Sequence, residues 1–403
     1  MSIEKEGFFQ SLVEAKIWAI FKLSTTLDIR KGSETMAKDF KKRACLEPIV
    51  PYVPGKPIEE VERELGVSNI IKMASNENPL GPSTKVMDAI KGYLQKLSLY
   101  PDGNAYYLKQ ALAEHLGVTD KNIICGNGAD ELITFSGMAY LNPGDEIIIS
   151  HPTFSEYEFA ARVMDATPVR VPSVDFCHDL PAMLAAITER TKIIYVCNPN
   201  NPTGAMLTHA ELADFMKQVP PHILVVMDEA YYEYVTDLAY ARSIEFLKEG
   251  YNVLIFRTFS KIYGLAGLRV GYGLASEEII ADINTVREPF NVNAVAQVAA
   301  LAALKDQEHM KAVQAANTQG RDYLAKEFER MGLSYVPTQA NFIFVEVGVD
   351  SKALFQKLLQ QGVIVRTGDI FGYPQHIRVS FGTEEQNKRF ISTLEETLKQ
   401  WDS

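Results

Sequence analysis

Residues 251–273 read YNVLIFRTFSKIYGLAGLRVGYG. The stretch opens with Val253-Leu254-Ile255-Phe256, an apolar run with the length and branching of a buried strand. A glycine-punctuated loop follows, carrying Thr258, Ser260, Lys261 and Arg269, and a second strand is expected from near Leu268. Two hydroxyls, an amine and a guanidinium at a strand's exit suit a bound phosphate beside a reactive carbonyl. Lysine forms a Schiff base once its pKa is depressed, while hydroxyls and arginine hold phosphate oxygens. A lone lysine in a loop is ordinarily a solvated charge. What sets Lys261 apart is its company, T-F-S-K with Arg269 eight residues later in L-A-G-L-R-V-G.

The chain around this stretch is long enough, at 403 residues, to divide into at least two domains. A net charge of −11 disfavours a nucleic-acid partner, which needs basic patches. Cys45, Cys125, Cys177 and Cys197 are far apart and form no CxxC pair, and the histidines form no HExxH. This pattern predicts a reducing, cytoplasmic setting and no protein-bound catalytic metal.

Upstream, from Thr84, helical and strand patterns alternate, as in an α/β domain with a largely parallel sheet. Ile123-Ile124-Cys125 runs into Gly126-Asn127-Gly128-Ala129-Asp130 and an apolar helix. Such a glycine turn offers backbone N–H groups and a positive dipole end to a phosphate. Asp145–Ser150 is a strand followed by His151-Pro152-Thr153-Phe154, with His151 read as structural. Lys192–Cys197 delivers the turn Asn198-Pro199-Asn200-Asn201-Pro202-Thr203-Gly204. Ile223–Met227 ends at Asp228-Glu229-Ala230-Tyr231. A carboxylate at a buried strand end costs several kcal/mol unless a cation meets it, which singles out Asp228.

The two ends read differently. Residues 1–35 carry a rough helical apolar period broken by Glu14, Lys16 and Lys22, too short and charged to span a bilayer. A docked helix, an interfacial helix and a dispensable extension before an internal start at Met36 all fit; the last is favoured. The proline-rich arm at 48–57, which holds Tyr52, is too rigid for a helix and suits a path over a surface or a neighbouring subunit. Beyond Gly273, helices fill 276–331 with one proline break at Pro289. Strands are expected at 340–345, 363–366 and 377–381, a helix at 351–361, and Thr383-Glu384-Glu385-Gln386 is a capping box. The expected layout is an extension at 1–35, an arm and part of a small domain at 36–83, a large domain at 84–290 and a small α+β domain at 291–403.

Taken in order, N-P-T-G, Asp228-x-x-Tyr231, the Lys261 stretch and I-R-V-S-x-G-T resemble the signatures of the pyridoxal-phosphate aminotransferases, class II. N-E-N-P-L-G-P at 76–82, the Pro-Tyr arm and V-R-T-G at 365–368 are similar to the histidinol-phosphate aminotransferase family, over about Leu46 to Trp401. The resemblance implies an α/β fold of type I, with a seven-stranded, mostly parallel sheet in the large domain. It makes Lys261 the Schiff-base lysine for pyridoxal 5′-phosphate. Thr258, Ser260 and Arg269 would hold the cofactor phosphate with Gly128, Ala129 and Asp130. Phe154 would lie against the ring, Asn201 and Tyr231 at its phenolic oxygen, and Asp228 at its ring nitrogen. Tyr100 would reach the partner's cofactor in a homodimer with shared sites.

For the substrate, the resemblance assigns the α-carboxylate to Arg378, with Asn201 and Asn341 beside it, and the phosphate to Arg366 and Tyr52. Asp369 then adds a negative charge near that anion site. The implied reaction moves an amino group between L-histidinol phosphate and 2-oxoglutarate, giving imidazole acetol phosphate and L-glutamate, in histidine biosynthesis. An aromatic-amino-acid aminotransferase is the nearer alternative and a threonine-phosphate decarboxylase the more distant; a regulator domain that retains the fold without turnover is a non-enzyme alternative.

Overall fold

The computed structural model describes residues 41–49 and 55–401. The readings of residues 1–35 and of Tyr52 lie outside the described residues. The described residues before Ile49 belong to a unit of their own, in which Ala44–Leu46 makes one turn of 3-10 helix.

In the rest of the chain the strands, in order, are β1 (Ile71–Lys72), β2 (Ile123–Gly126), β3 (Glu146–His151), β4 (Thr167–Pro172), β5 (Thr191–Cys197), β6 (Leu224–Asp228) and β7 (Val253–Thr258). There follow β8 (Gly271–Leu274), β9 (Tyr335–Val336), β10 (Phe342–Glu346), β11 (Val363–Ile364), β12 (Arg366–Thr367) and β13 (His376–Ser380). Seven of these make the expected large sheet, in the order β2-β8-β7-β6-β5-β3-β4, parallel except for β8. Strands β5, β6 and β7 are apolar without alternation because helices cover both faces. Val225, Val253 and Ile255 point to a layer with Leu112, Phe215 and Ala299. Their neighbours Val226, Leu254 and Phe256 point to the other layer, with Leu132, Tyr157 and Ile283. Each large side chain so buried contributes about 1.5–3 kcal/mol.

This arrangement puts the carboxyl ends of all six parallel strands at one edge, with the start of β8 beside them. In open α/β sheets that edge is where ligands bind. A second core, with Met73, Phe328, Ile343, Leu358, Val379 and Phe390, is built on the sheet β12-β13-β10-β9 and the helices at 307–331, 351–360 and 384–399. Residues 71–73 belong to this second core, so both chain ends build it.

Three local expectations are corrected. The strand expected over 363–366 divides at Val365. Residues 363–364 pair in parallel with β1, while Arg366–Thr367 joins β13, so one short segment bridges two sheets. The strand expected from Leu268 begins only at Gly271. Ala266–Leu268 is a 3-10 turn and Arg269 has φ of 55°, a left-handed conformation that no strand tolerates. The helical run 276–331 breaks a second time, at Asp306, whose carboxylate accepts from Lys85 Nζ at 2.9 Å.

Glu229, which carried no reading, has a structural one. It is paired with Arg257 at 2.8 Å, both buried, and the guanidinium lies 3.4 Å from the Tyr232 ring centre. The pair ties the end of β6 to β7. Replacing Arg257 by Met strands a buried carboxylate, and we expect a loss of about 3–5 kcal/mol in urea unfolding of the apoprotein. A loss below about 1 kcal/mol, the size of an exposed pair, would show that this pair does not hold the strand ends.

Candidate active site

Lys261 leaves β7 into the loop at the ligand edge. The loop's shape depends on Gly264, which has φ of 71° and packs so closely on Gly81 that a Cβ would come within 2.6 Å of its carbonyl carbon. Asn78 Nδ2 donates to the carbonyl of Ile262 at 2.8 Å. The N-E-N-P-L-G-P turn thus clamps the lysine loop, a job its residues alone did not disclose. Lys261 Nζ points to the carbonyl of Ser75 at 3.5 Å. Burial, helped by the Arg378 guanidinium, lowers its pKa to about 8, so the neutral nucleophilic amine is accessible near neutrality.

Arg269 donates to Ser260 Oγ at 3.3 Å and to Asp130 Oδ2 at 2.8 Å. Gly128, with φ of 83°, caps the helix Ala129–Tyr140, and a Cβ there would lie 2.4 Å from an Arg269 terminal nitrogen. Thr258 Oγ1 accepts from the Ser260 backbone N–H at 3.0 Å. Gly128, Ala129, Asp130, Thr258, Ser260 and Arg269 therefore meet around a helix N-terminus, where the two hydroxyls, the guanidinium and the helix's first N–H groups form a donor set that fits a phosphate monoester.

Asp228 ends β6 fully buried, accepting from the Tyr157 hydroxyl at 2.6 Å and the Ala230 N–H at 3.1 Å. Burial raises its pKa to about 6 against those two hydrogen bonds. A carboxylate so placed fits a protonated ring nitrogen. Phe154 packs edge-on to Tyr157, with centroids 5.7 Å apart. Tyr231 accepts from Asn76 Nδ2 at 3.0 Å, and its ring centre is 5.8 Å from Lys261 Nζ. Arg378, on β13, donates to Asn201 Oδ1 and, at 2.9 Å, to the carbonyl of Ala74. Asn341 Nδ2 donates to the carbonyl of Asn76 at 2.9 Å, leaving its buried Oδ1 without a protein partner.

Of the other expected residues, one stands apart from this cluster and one borders it. Tyr100 is 82% exposed and stacks on Phe290 with centroids 4.8 Å apart. Arg366 lies directly opposite Arg378 across β12 and β13, and a Cβ at Gly55, where the described arm resumes, would be 3.8 Å from its Nη1. Asp369 is taken up by Lys352 at 3.0 Å. His151 ends β3 exposed to solvent. Sequence reasoning missed Asn76 and Tyr157; only the position of Tyr157, three residues beyond Phe154, hinted at a shared site.

Because the Lys261 pKa falls from 10.5 to about 8 on folding, the buried ammonium destabilises the apoprotein fully below pH 8, and the effect disappears as pH rises towards 10.5. Lys261→Met should stabilise the apoprotein at pH 7 by about 3 kcal/mol at 1.36 kcal/mol per unit, and the gain should shrink by pH 10. A gain that stays constant across that range in urea titrations would contradict the burial of the charged amine.

Comparison with known proteins agrees with this geometry. The model of the family "Aminotransferase class I and II" matches residues 68–394. A histidinol-phosphate aminotransferase of Moorella thermoacetica is 58% identical over 373 residues, 92% of this chain and 97% of that protein. One of Caldicellulosiruptor saccharolyticus is 49% identical, covering 88% of this chain and 99% of that protein. The crystal structure of histidinol-phosphate aminotransferase from Sinorhizobium meliloti, in complex with pyridoxal-5′-phosphate, superposes with a TM-score of 0.84 at 29% identity, over 90% of this chain and 99% of that one. The chain belongs to the class I and II aminotransferases and, within them, to the histidinol-phosphate aminotransferase family.

Proposed function

We propose that this chain is a pyridoxal-phosphate-dependent transaminase that moves an amino group between L-histidinol phosphate and 2-oxoglutarate. The observation that carries the substrate is the register of β12 and β13, which sets Arg366 directly across from Arg378. Two guanidinium groups on neighbouring strands at the ligand edge call for anionic groups on the substrate. A substrate with an anionic tail meets that requirement, and both the phosphate ester and the γ-carboxylate of glutamate qualify.

The chemistry that pyridoxal 5′-phosphate supplies when bound is a carbonyl for the amino group and a ring that takes up electrons. Lys261 would hold it covalently through Nζ, and once released the neutral amine would take the proton from the amino donor's Cα. Asp228 would keep the ring nitrogen protonated, with Tyr157 holding the carboxylate in its ionised form. Gly128, Ala129, Asp130, Thr258, Ser260 and Arg269 would hold the phosphate, and Phe154 would flank the ring. Asn201 and Tyr231 would serve the phenolic oxygen. Arg378 would take the α-carboxylate of glutamate or 2-oxoglutarate beside Asn201 and Asn341, while Arg366 would take the anionic tail together with Tyr52.

The working unit in this reading is a homodimer, with Tyr100 reaching the partner's cofactor phosphate. The exposure of Leu97, Leu99, Tyr100 and Tyr107 along one stretch supports it. The large and small domains would divide after Lys305 in place of 290, because Ala296, Ala299 and Ala303 pack in the large-sheet core.

Arg366→Gln should raise the Michaelis constant for histidinol phosphate roughly tenfold to a hundredfold, the value of one charge-assisted contact, and affect phenylalanine far less. Equal losses for both donors would move the reading to an aromatic aminotransferase. Mixing Lys261→Ala with Tyr100→Phe chains should regain activity over either variant alone if sites are shared. No regain with exchanging dimers would place each site within one chain.

A further inference from the structure

Asn76 is the one asparagine of N-E-N-P that lies in the site, with φ of 56° and 2% exposure. Its hydrogen bonds form one consistent chain. Its backbone N–H donates to Ser380 Oγ at 2.8 Å, so that oxygen's own hydrogen must go elsewhere. Ser380 Oγ donates it to Asn76 Oδ1 at 2.9 Å. The amide oxygen is thereby committed to Ser380, which turns Nδ2 towards Tyr231, where it donates to the phenolic oxygen at 3.0 Å. Tyr231 and Ser380 are as buried as Asn76, at 3% and 4% exposure. A hydroxyl has one hydrogen. Since the Tyr231 oxygen accepts from Asn76, its own hydrogen cannot point back along that line.

We propose that Asn76 is a positioning residue that fixes the polarity of the Tyr231 hydroxyl, with Ser380 setting the orientation of Asn76. Tyr231 is then obliged to donate into the site, towards the phenolic oxygen of the cofactor. The inference rests on the reading of Tyr231 as a residue at that oxygen. It adds a link between the two cores: Ser380 lies two residues beyond Arg378 on β13, and Tyr231 follows β6. The carbonyl of Asn76 also accepts from Asn341, so a single left-handed residue joins three side chains of the pocket.

A hydrogen bond donated to the phenolic oxygen draws off negative charge, and the protonated nitrogen beside that oxygen then loses its proton at lower pH. The visible absorbance of the holoenzyme, titrated with pH and without substrate, reads this directly. The charged and titratable groups facing the Tyr231 hydroxyl are Lys261, Asp228, Arg378, Cys197 and Tyr234, and each of the variants below retains all of them. Tyr231→Phe should raise the transition by about one pH unit, the size of one hydrogen bond to a charged group.

Asn76→Asp keeps the shape and tolerates the left-handed backbone, but offers Tyr231 only acceptors, so the hydroxyl turns away from the cofactor. Its bare charge also raises the transition, and that part is measured in the Tyr231→Phe background. The proposal predicts a shift larger by about one unit with Tyr231 present than in that background. Ser380→Ala, which frees the amide to flip, should shift the transition the same way only when Tyr231 is present. Equal shifts in both backgrounds for both variants would overturn the proposal while leaving the Tyr231 reading standing. A Tyr231→Phe protein with an unmoved transition would remove that reading, and the inference with it.

Discussion

A buried lysine at the carboxyl edge of the large sheet lies within the field of a second cation, and the same short segment receives both. Lys261 and Arg378 come from opposite cores, and the guanidinium helps to depress the amine's pKa. Both lean on the same few atoms: Arg378 donates to the carbonyl of Ala74, and Lys261 points to that of Ser75, the next residue. Repulsion between like charges is stronger in a partly dry site than in water, and burial adds to the cost of charging the amine. The result is an amine that gives up its proton near pH 8 on one side and a permanent cation on the other.

The segment 74–78 is what makes that arrangement rigid. It meets Arg378, Lys261, Tyr231, Ser380 and Asn341 within five residues, and Asn78 secures the loop behind Lys261. Strand β1, just before it, is built into the second core by its pairing with β11. A site made in this way joins the two cores chemically as well as by packing. Movement of one core against the other would be felt at the amine, the guanidinium and the tyrosine together.

Much of this was legible because the informative residues are contiguous. The strand Val253–Thr258 and the loop that bears Lys261 follow one another, and so do Asp228 and Tyr231 or Gly128 and its helix, so motif and geometry coincide. What the sequence withheld depends on distance along the chain. Asn76 and Ser380 are 304 residues apart, and nothing local says that they exchange two hydrogen bonds. Tyr157 reaches Asp228 from a helix 71 positions earlier. The division of 363–367 between two sheets hid in an apolar run that reads as one strand, and the left-handed Arg269 hid inside a strand-like L-R-V. Both are places where tertiary pairing overrides local preference.

The most direct measurement of the account is chemical. The holoenzyme is reduced with borohydride, digested, and its peptides mapped by mass spectrometry. The account predicts a pyridoxyl phosphate group on the peptide containing Lys261. A protein that takes up no cofactor, or one whose modification falls on another lysine, would contradict it.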